Sequence, residues 1–263
     1  MARAATRDEL TDTAADAAID QACRILRLPT IRTRHGEIAA AATRQQVSYK
    51  GFLVELLSVE CDDREQRRKA RLVRDASFPR PKRLEDFDYA ANPNVPAALI
   101  HTLARGAWVA AGQPCCLIGD SGTGKSHLLI GLGTAAAEAG YRVKYTTAAA
   151  LVNELVEAAD DKTLSRTINR YGRVDLLCLD ELGYLELDRR GAELLFQVFT
   201  EREERASIAI ASNAAFSEWT RTFTDPRLCA AIVDRLTYDA HIINTGSDSY
   251  RLRTAKARHQ AKT

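Results

Sequence analysis

Five short apolar runs, each next to a stretch with helical spacing, constrain the fold of residues 97–253 more than any other feature. Strands that are apolar along their whole length are typical of a parallel sheet covered by helices on both faces. The alternation of strands and helices also implies right-handed crossover connections. The sequence therefore predicts an α/β fold with a parallel β-sheet flanked by helices. The five runs are PCCLIG, YRVKYTT, VDLLCLDEL, SIAIASN and AHIINTG.

The residues before this region have a different pattern. Apolar residues at three- and four-residue spacing predict helices in DAAIDQACRILRL and in the segment from Phe52 to Arg74, with PTIRTRHGE as a loop between them. Four of the seven prolines lie in residues 76–96, which predicts a linker or an extended arm. We therefore divide the chain into an N-terminal helical domain (1–75), the linker (76–96), the α/β domain (97–253) and a basic C-terminal tail (254–263).

A glycine-rich segment lies between the first predicted strand and the helix after it. It reads G-D-S-G-T-G-K-S and fits the pattern G-x-x-x-x-G-K-[ST] in full. Glycines let successive backbone N–H groups face a phosphate, and the helix N-terminus adds a positive dipole. Lys125 would contact the β- and γ-phosphates, and the Ser126 hydroxyl would bind Mg²⁺. The predicted nucleotide-binding residues are Gly119, Asp120, Ser121, Gly122, Thr123, Gly124, Lys125, Ser126 and His127.

Acidic and amide side chains follow two later strands. LLCLDE ends in Asp180, placed to bind magnesium together with Ser126, and in Glu181, placed to act as the general base on water. Asn213 follows the next strand and could orient that water. No N-K-x-D segment follows a strand, so the sequence favours ATP over GTP.

Longer segments carry a family resemblance, among them ASFPRPKRLEDFDY, LLCLDELGYLELDRRGAELLFQVFTEREER, IVDRLTYDAHII and SYRLR. The stretch from about Arg71 to Arg253 resembles the insertion-sequence ATP-binding proteins of the IstB type, relatives of the DnaC helicase loaders within the AAA+ ATPases. The resemblance implies an AAA+ P-loop fold, ATP hydrolysis, assembly of a homo-oligomer on duplex DNA and assistance to an IstA-type transposase. By position, Arg235 matches the arginine finger and Arg251 the sensor-two arginine, which would make both catalytic.

Basic residues are clustered although the net charge is only +2. Such segregation fits a polyanionic partner, here duplex DNA contacted through its backbone. One set would form a stripe on a helix, and a second set, spaced by four, would lie on the helix between the second and third strands. A third set is the C-terminal tail. The first two sets are Arg64, Arg67, Arg68, Arg71 and Arg74, and Lys162, Arg166 and Arg170.

Other features bear on the cellular compartment. No apolar run approaches the roughly 18 residues of a spanning helix, and the first residues lack the apolar segment of a secretory signal. The six cysteines lack the spacing of a zinc site and fit buried apolar positions in a reducing cytosol. We therefore expect a cytoplasmic protein with no membrane partner.

Three other functions fit parts of the sequence. A replicative helicase loader would share the ATPase segments and differ in its partner. A small-molecule kinase could use the same glycine-rich loop, although the adjacent Asp180 and Glu181 favour hydrolysis. A module that binds ATP without turnover would have no use for the Glu181 carboxylate.

Overall fold

The computed structural model describes residues 7–184 and 186–250, the first five of them by their backbone alone. The chain separates into two compact units, one ending at Arg68 and the other beginning at Lys69. The boundaries proposed from the sequence, including that at residue 75, stay predictions. Within the described ranges, no helix combines the length and apolarity needed to cross a membrane.

The first unit is helical. It contains α1 (Arg7–Leu26), α2 (Pro29–Arg44) and the first part of α3 (Tyr49–Asp75). A small core of Cys23, Ile31, Ile38 and Leu56 joins the three helices.

The prediction of a loop for PTIRTRHGE is wrong, because these residues open α2. Pro29 stands in the first turn of the helix, where proline is favoured since the N–H it lacks would have no helical partner there. Gly36 lies inside the same helix, where a glycine lowers helix stability without preventing the helix.

A buried carboxylate on α3 satisfies the start of α2. Glu60 is only 3 % exposed, and its Oε2 accepts the backbone N–H groups of Thr30 at 2.8 Å and Ile31 at 3.1 Å. The first N–H groups of a helix have no partner within the helix, so this carboxylate replaces the missing acceptors and suits the positive end of the helix dipole.

The second unit continues from α3 with α4 (Ala97–Leu103) and α5 (Ala107–Ala110). Its strands are β1 (Cys115–Ile118), β2 (Val143–Thr147), β3 (Leu176–Leu182), β4 (Ser207–Ser212) and β5 (His241–Asn244). Its longer helices are α6 (Lys125–Glu138), α7 (Ala148–Asp160), α8 (Leu164–Gly172), α9 (Arg189–Arg202) and α10 (Pro226–Thr237). A short 3-10 helix spans Phe216–Arg221.

The five strands form one sheet in the order β2-β3-β4-β1-β5, and every pairing is parallel. Alternate residues of β1, β3 and β4 enter different cores. Cys116 and Leu177 belong to the core under α7, α9 and α10, whereas Leu117 and Cys178 belong to the core under α4 and α6. The predicted α/β class, with a parallel sheet covered on both faces, is confirmed.

Residues 76–96 form neither helix nor strand, yet they pack on the second unit. The carbonyl of Ala76 accepts the backbone N–H of Tyr145 at 2.9 Å, at the outer edge of β2. Leu84 and Phe87 are buried in the core that contains α6. The segment therefore forms one wall of the site described next.

Candidate nucleotide-binding site

The glycine-rich loop connects β1 to α6 at the carboxyl end of the sheet. Gly122 and Gly124 have φ values of +86° and +99°, in the left-handed region that favours glycine. A Cβ at Gly122 would lie 2.3 Å from the Ser249 hydroxyl oxygen, and one at Gly124 would lie 2.5 Å from the Phe87 ring. Glycine is therefore required at both positions by backbone conformation and by space.

The loop is anchored to the segment after β5. The backbone N–H of Asp120 donates to the carbonyl of Gly246 at 2.9 Å, and the hydroxyl oxygens of Thr123 and Thr245 are 2.6 Å apart. Asn92, from the proline-rich segment, donates to the carbonyls of Thr123 at 3.0 Å and Thr245 at 2.9 Å. Two separate parts of the chain, the segment after β5 and the proline-rich segment, thus hold the loop in one conformation.

Lys125 is the first residue of α6, and it is only 6 % exposed. Its Nζ donates to the carbonyl oxygen of Asp120 at 2.7 Å, so the ammonium lies over the loop. An ammonium and a helix N-terminus in the same place favour a bound anion with several negative oxygens.

Asp180 lies on β3 beside this loop and is 4 % exposed. Its Oδ1 accepts the Ser126 hydroxyl at 3.1 Å and the backbone N–H of Glu181 at 2.9 Å. Its Oδ2 accepts the hydroxyl of Tyr145, on β2, at 2.8 Å. Burial and the neighbouring Asp180 charge raise the pKa of Tyr145 far above its usual range, so the phenol remains a neutral donor.

Glu181 has an unusual backbone. Its φ is +62°, and the pairing of β3 with β4 shifts between Leu179 and Leu182. This local irregularity places the side chain of Glu181 at the surface while Asp180 and Leu182 stay buried. An exposed carboxylate at the strand end can approach a water molecule next to a bound phosphate.

One cleft of about 420 Å³ collects these groups. It is lined by Ser121 to His127, Asp180, Glu181 and Asn213, so the predicted residues of three separate motifs meet there. Gly119 and Asp120 lie in the same loop. The roles of all these residues in binding and catalysis, including those of Lys125, Ser126 and His127, stay predictions. Arg251 lies outside the described residues.

Sequence reasoning missed several residues of the cleft. Arg80, Lys82, Phe87 and Asn92 line it from the segment predicted to be a linker. The Phe87 ring packs edge-on against His127, whose Nε2 lies 2.7 Å from the carbonyl oxygen of Arg83. The three apolar or aromatic residues of RLEDFDY, Leu84, Phe87 and Tyr89, were the available signal for a packed segment.

Magnesium fits the donor set of the cleft. Ser126 and Asp180 place a hydroxyl and a carboxylate oxygen 3.1 Å apart. Mg²⁺ prefers a few hard oxygen ligands from the protein and takes the remainder from phosphate and water. Within the described ranges, no group of three or more His, Cys, Asp or Glu forms a separate metal site.

Arg235 lies away from the cleft, near the amino ends of β1 and β4. Its Nε donates to Glu203 Oε2 at 2.7 Å, and its guanidinium lies over the Phe196 ring at 4.5 Å. It lines a small cavity together with Pro114 and Ile208. Within one chain, Arg235 and Lys125 are therefore at opposite ends of the sheet.

The predicted basic stripe lies on one helix, α3, and all five arginines are exposed. Two of them also hold structure within the first unit: Arg64 donates to the carbonyl of Arg27 at 2.7 Å, and Arg67 donates to the Thr30 hydroxyl at 2.9 Å. Arg68, Arg71 and Arg74 continue the stripe, and their contact with DNA stays a prediction.

The second basic set does not lie on one helix, so that prediction is wrong. Arg166 and Arg170 are on α8, but Lys162 lies in the turn after α7 with φ +56°. The N–H groups of Lys162 and Thr163 donate back to the carbonyls of Ala159 and Ala158, which ends α7 with a residue in the left-handed conformation. Arg170 forms an ion pair with Glu154, so its charge is partly neutralised.

Known proteins with similar sequences are also ATP-binding proteins by name. The family described as IstB-like ATP binding protein matches residues 21–258. An insertion sequence ATP-binding protein of Sinorhizobium fredii is 38 % identical over 88 % of this chain and 78 % of its own. The ATP-binding protein of insertion sequence IS5376 from Geobacillus stearothermophilus is 33 % identical over 92 % of this chain and 96 % of its own.

A solved structure shows a similar fold. AMPPCP-bound DnaA from Aquifex aeolicus has a TM-score of 0.56 and 26 % identity. The match covers 70 % of this chain and 57 % of that one. The parallel sheet and its P-loop thus have the architecture of an AAA+ ATPase domain.

Proposed function

Because the chain belongs to the family of IstB-like ATP-binding proteins, we propose that it hydrolyses ATP to control its own assembly on duplex DNA and thereby assists a transposase. The observation that carries the proposal is the meeting of Lys125, Asp180, Glu181 and Asn213 around one cleft. Each of these residue types supplies one function that hydrolysis of a triphosphate needs.

In this proposal the loop and Lys125 bind the triphosphate. Magnesium, held by Ser126 and Asp180, would neutralise phosphate charge. Glu181 would accept the proton of the attacking water, and the Asn213 amide would orient that water beside the phosphate. A carboxylate free to accept a proton distinguishes turnover from simple binding of ATP.

The position of Arg235 supports the proposal that several copies of the chain assemble. Arg235 and the cleft lie at opposite ends of the same sheet. An arginine that contacts phosphate from there would have to serve a second copy of the chain. ATP would then favour the oligomer by its higher affinity for the assembled form, and hydrolysis would remove that preference. Arg251 would contact the γ-phosphate.

Duplex DNA is the proposed surface for this assembly. Arg68, Arg71 and Arg74 present exposed charge on α3, which suits contacts to phosphates rather than to base edges. The relatives named for insertion sequences favour an IstA-type transposase as partner over a replicative helicase. The expected location is the cytoplasm.

The experiment compares Glu181→Gln with Glu186→Gln, which alters a nearby exposed carboxylate. Glu181→Gln should lower the rate of ATP hydrolysis about 100-fold because the general base is lost, while ATP affinity is retained. Light scattering should show larger particles for the wild type when ATP, Mg²⁺ and duplex DNA are supplied together.

Each part of the proposal can fail separately. Equal hydrolysis by the two variants would remove Glu181 from the reaction. Particles that stay single with ATP and DNA present would overturn the assembly step, even if ATP is hydrolysed.

A further inference from the structure

Among the described residues that donate a hydrogen bond to Asp180, Tyr145 belongs to none of the motifs predicted from the sequence. The two residues lie on neighbouring strands, and the residue that pairs directly with Asp180 is Thr147. Tyr145 is two residues before Thr147, on the same face of β2, so its long side chain crosses diagonally to reach Asp180. Its hydroxyl then donates to Oδ2 at 2.8 Å.

The other oxygen of Asp180 faces different partners. Oδ1 accepts the Ser126 hydroxyl at 3.1 Å and the Glu181 backbone N–H at 2.9 Å. A carboxylate with one oxygen engaged by a fixed donor cannot rotate freely about its last bond. The remaining oxygen is thereby kept beside Ser126, which is the second proposed metal ligand.

Tyr145 is itself held in place from outside the sheet. Its backbone N–H donates to the carbonyl of Ala76 at 2.9 Å. Its ring packs edge-on against Phe78 with centroids 6.0 Å apart. A donor fixed at its backbone and at its ring is suited to orient another group, because it loses little freedom when it forms the hydrogen bond.

We propose that Tyr145 is a positioning residue that binds Oδ2 of Asp180 and so presents Oδ1, beside the Ser126 hydroxyl, to the metal ion that accompanies the nucleotide. The inference rests on the proposed function, since it concerns the same ATP and magnesium site. Tyr145 acts through Asp180 and does not contact the nucleotide.

The test uses Tyr145→Phe in the full chain, which keeps the ring against Phe78 and removes only the hydroxyl. The matched control is Tyr171→Phe, because the Tyr171 hydroxyl also donates to a carboxylate, at 2.5 Å, but that carboxylate, Glu154, does not line the cleft as Asp180 does. Mn²⁺ bound in the presence of a non-hydrolysable ATP analogue is measured by electron paramagnetic resonance. Affinity for the analogue without metal is measured separately in chelator.

Tyr145→Phe should weaken Mn²⁺ binding about tenfold, as loss of a partner of a metal ligand does, and should leave metal-free affinity for the analogue unchanged. Tyr171→Phe should bind Mn²⁺ like the wild type. Equal Mn²⁺ affinity in the two variants would overturn the inference. A variant that is partly unfolded would bind both Mn²⁺ and the metal-free analogue with a lower apparent affinity. An unchanged metal-free affinity for the analogue therefore shows that a loss of Mn²⁺ binding does not come from unfolding.

A double substitution provides a second, independent test. In an Asp180→Asn background, Tyr145→Phe should weaken Mn²⁺ binding no further, since its effect passes through the carboxylate. A further tenfold loss there would overturn the inference. A wild-type protein whose nucleotide binding ignores metal would overturn the proposed function as well, whereas metal-tightened binding unchanged by Tyr145→Phe would overturn only the role of Tyr145.

Discussion

At the carboxyl end of the sheet, Asp180 accepts hydrogen bonds from two hydroxyl groups and one backbone N–H, whereas at the amino end Arg235 donates to the carboxylate of Glu203. Neutral donors orient Asp180 and leave its charge available to a cation. Glu203 neutralises Arg235 before any partner arrives. The first arrangement suits a bound cation. If Arg235 serves a neighbouring copy, as proposed, it would first have to leave Glu203 for a phosphate.

The prediction with the largest expected effect tests whether Arg235, at the amino end of the sheet, takes part in catalysis. Arg235→Ala should lower ATP hydrolysis on DNA about 1,000-fold, because an arginine finger stabilises the charge of the transition state. Binding of ATP by a single chain should stay unchanged. The measurement is the steady-state rate at saturating ATP and DNA.

The control for this loss is Arg205→Ala, which breaks the comparable exposed ion pair with Glu201, 2.9 Å long. Equal rates in the two variants would show that Arg235 serves only its own chain. The comparison between the two ends of the sheet would then concern stability and not assembly.

A smaller effect is expected from Glu203, whose carboxylate Arg235 would have to leave in order to contact a neighbouring copy. Arg235 and Glu203 are 25 % and 42 % exposed, and an exposed pair contributes about 0.6 kcal/mol. Glu203→Gln should therefore lower the protein concentration for half-maximal hydrolysis about threefold, since the arginine is released more easily. Rates measured over a series of protein concentrations check this, with Glu201→Gln as control. A higher half-maximal concentration would mean that Glu203 orients Arg235 for its neighbour instead of retaining it.

The smallest effect concerns His127 at the carboxyl end. Burial lowers the pKa of His127 below its ordinary value of 6.5, although the hydrogen bond with the Arg83 carbonyl opposes the shift. The unfolded chain therefore binds a proton more readily than the folded chain, and the free energy of unfolding should fall as the pH falls below 6.5.

Urea unfolding on both sides of that pH measures this dependence. His127→Gln should reduce it, whereas substitution of the exposed His101 by Gln should not. If His127→Gln leaves the pH dependence unchanged, protonation of His127 does not destabilise the folded protein. The cleft would then tolerate this additional positive charge without a bound anion.

The sequence predicted the five strands because short runs rich in apolar residues alternate with segments of helical spacing. The runs are clearest in β1, β3 and β4, which are buried on both faces of the sheet. It predicted the loop, Asp180, Glu181 and Asn213 because their positions at strand ends can be read along the chain. Tyr145 could not be predicted in the same way. Its role depends on β2 lying beside β3, and strand order is a property of the folded sheet.

Two wrong interpretations have a common physical cause. Pro29 and Lys162 were interpreted from local preference alone, as a loop residue and as a helical residue. In the structure, Pro29 fits the first turn of α2, and Lys162 takes the left-handed position that ends α7. Similarly, the prolines of residues 76–96 exclude regular structure without excluding burial, since Leu84 and Phe87 enter the core. The geometry of helix ends decided the first two cases, and tertiary packing decided the third.

The left-handed backbone of Glu181 has a consequence for the evolution of this fold. A residue with a side chain at φ +62° costs the folded state about 1 kcal/mol, a cost that glycine would avoid. The carboxylate proposed to drive turnover therefore occupies a position where the backbone would prefer a residue with no side chain. Laboratory selection for heat resistance alone would favour glycine at this position, and the resulting proteins would survive heating but lose the ability to consume ATP.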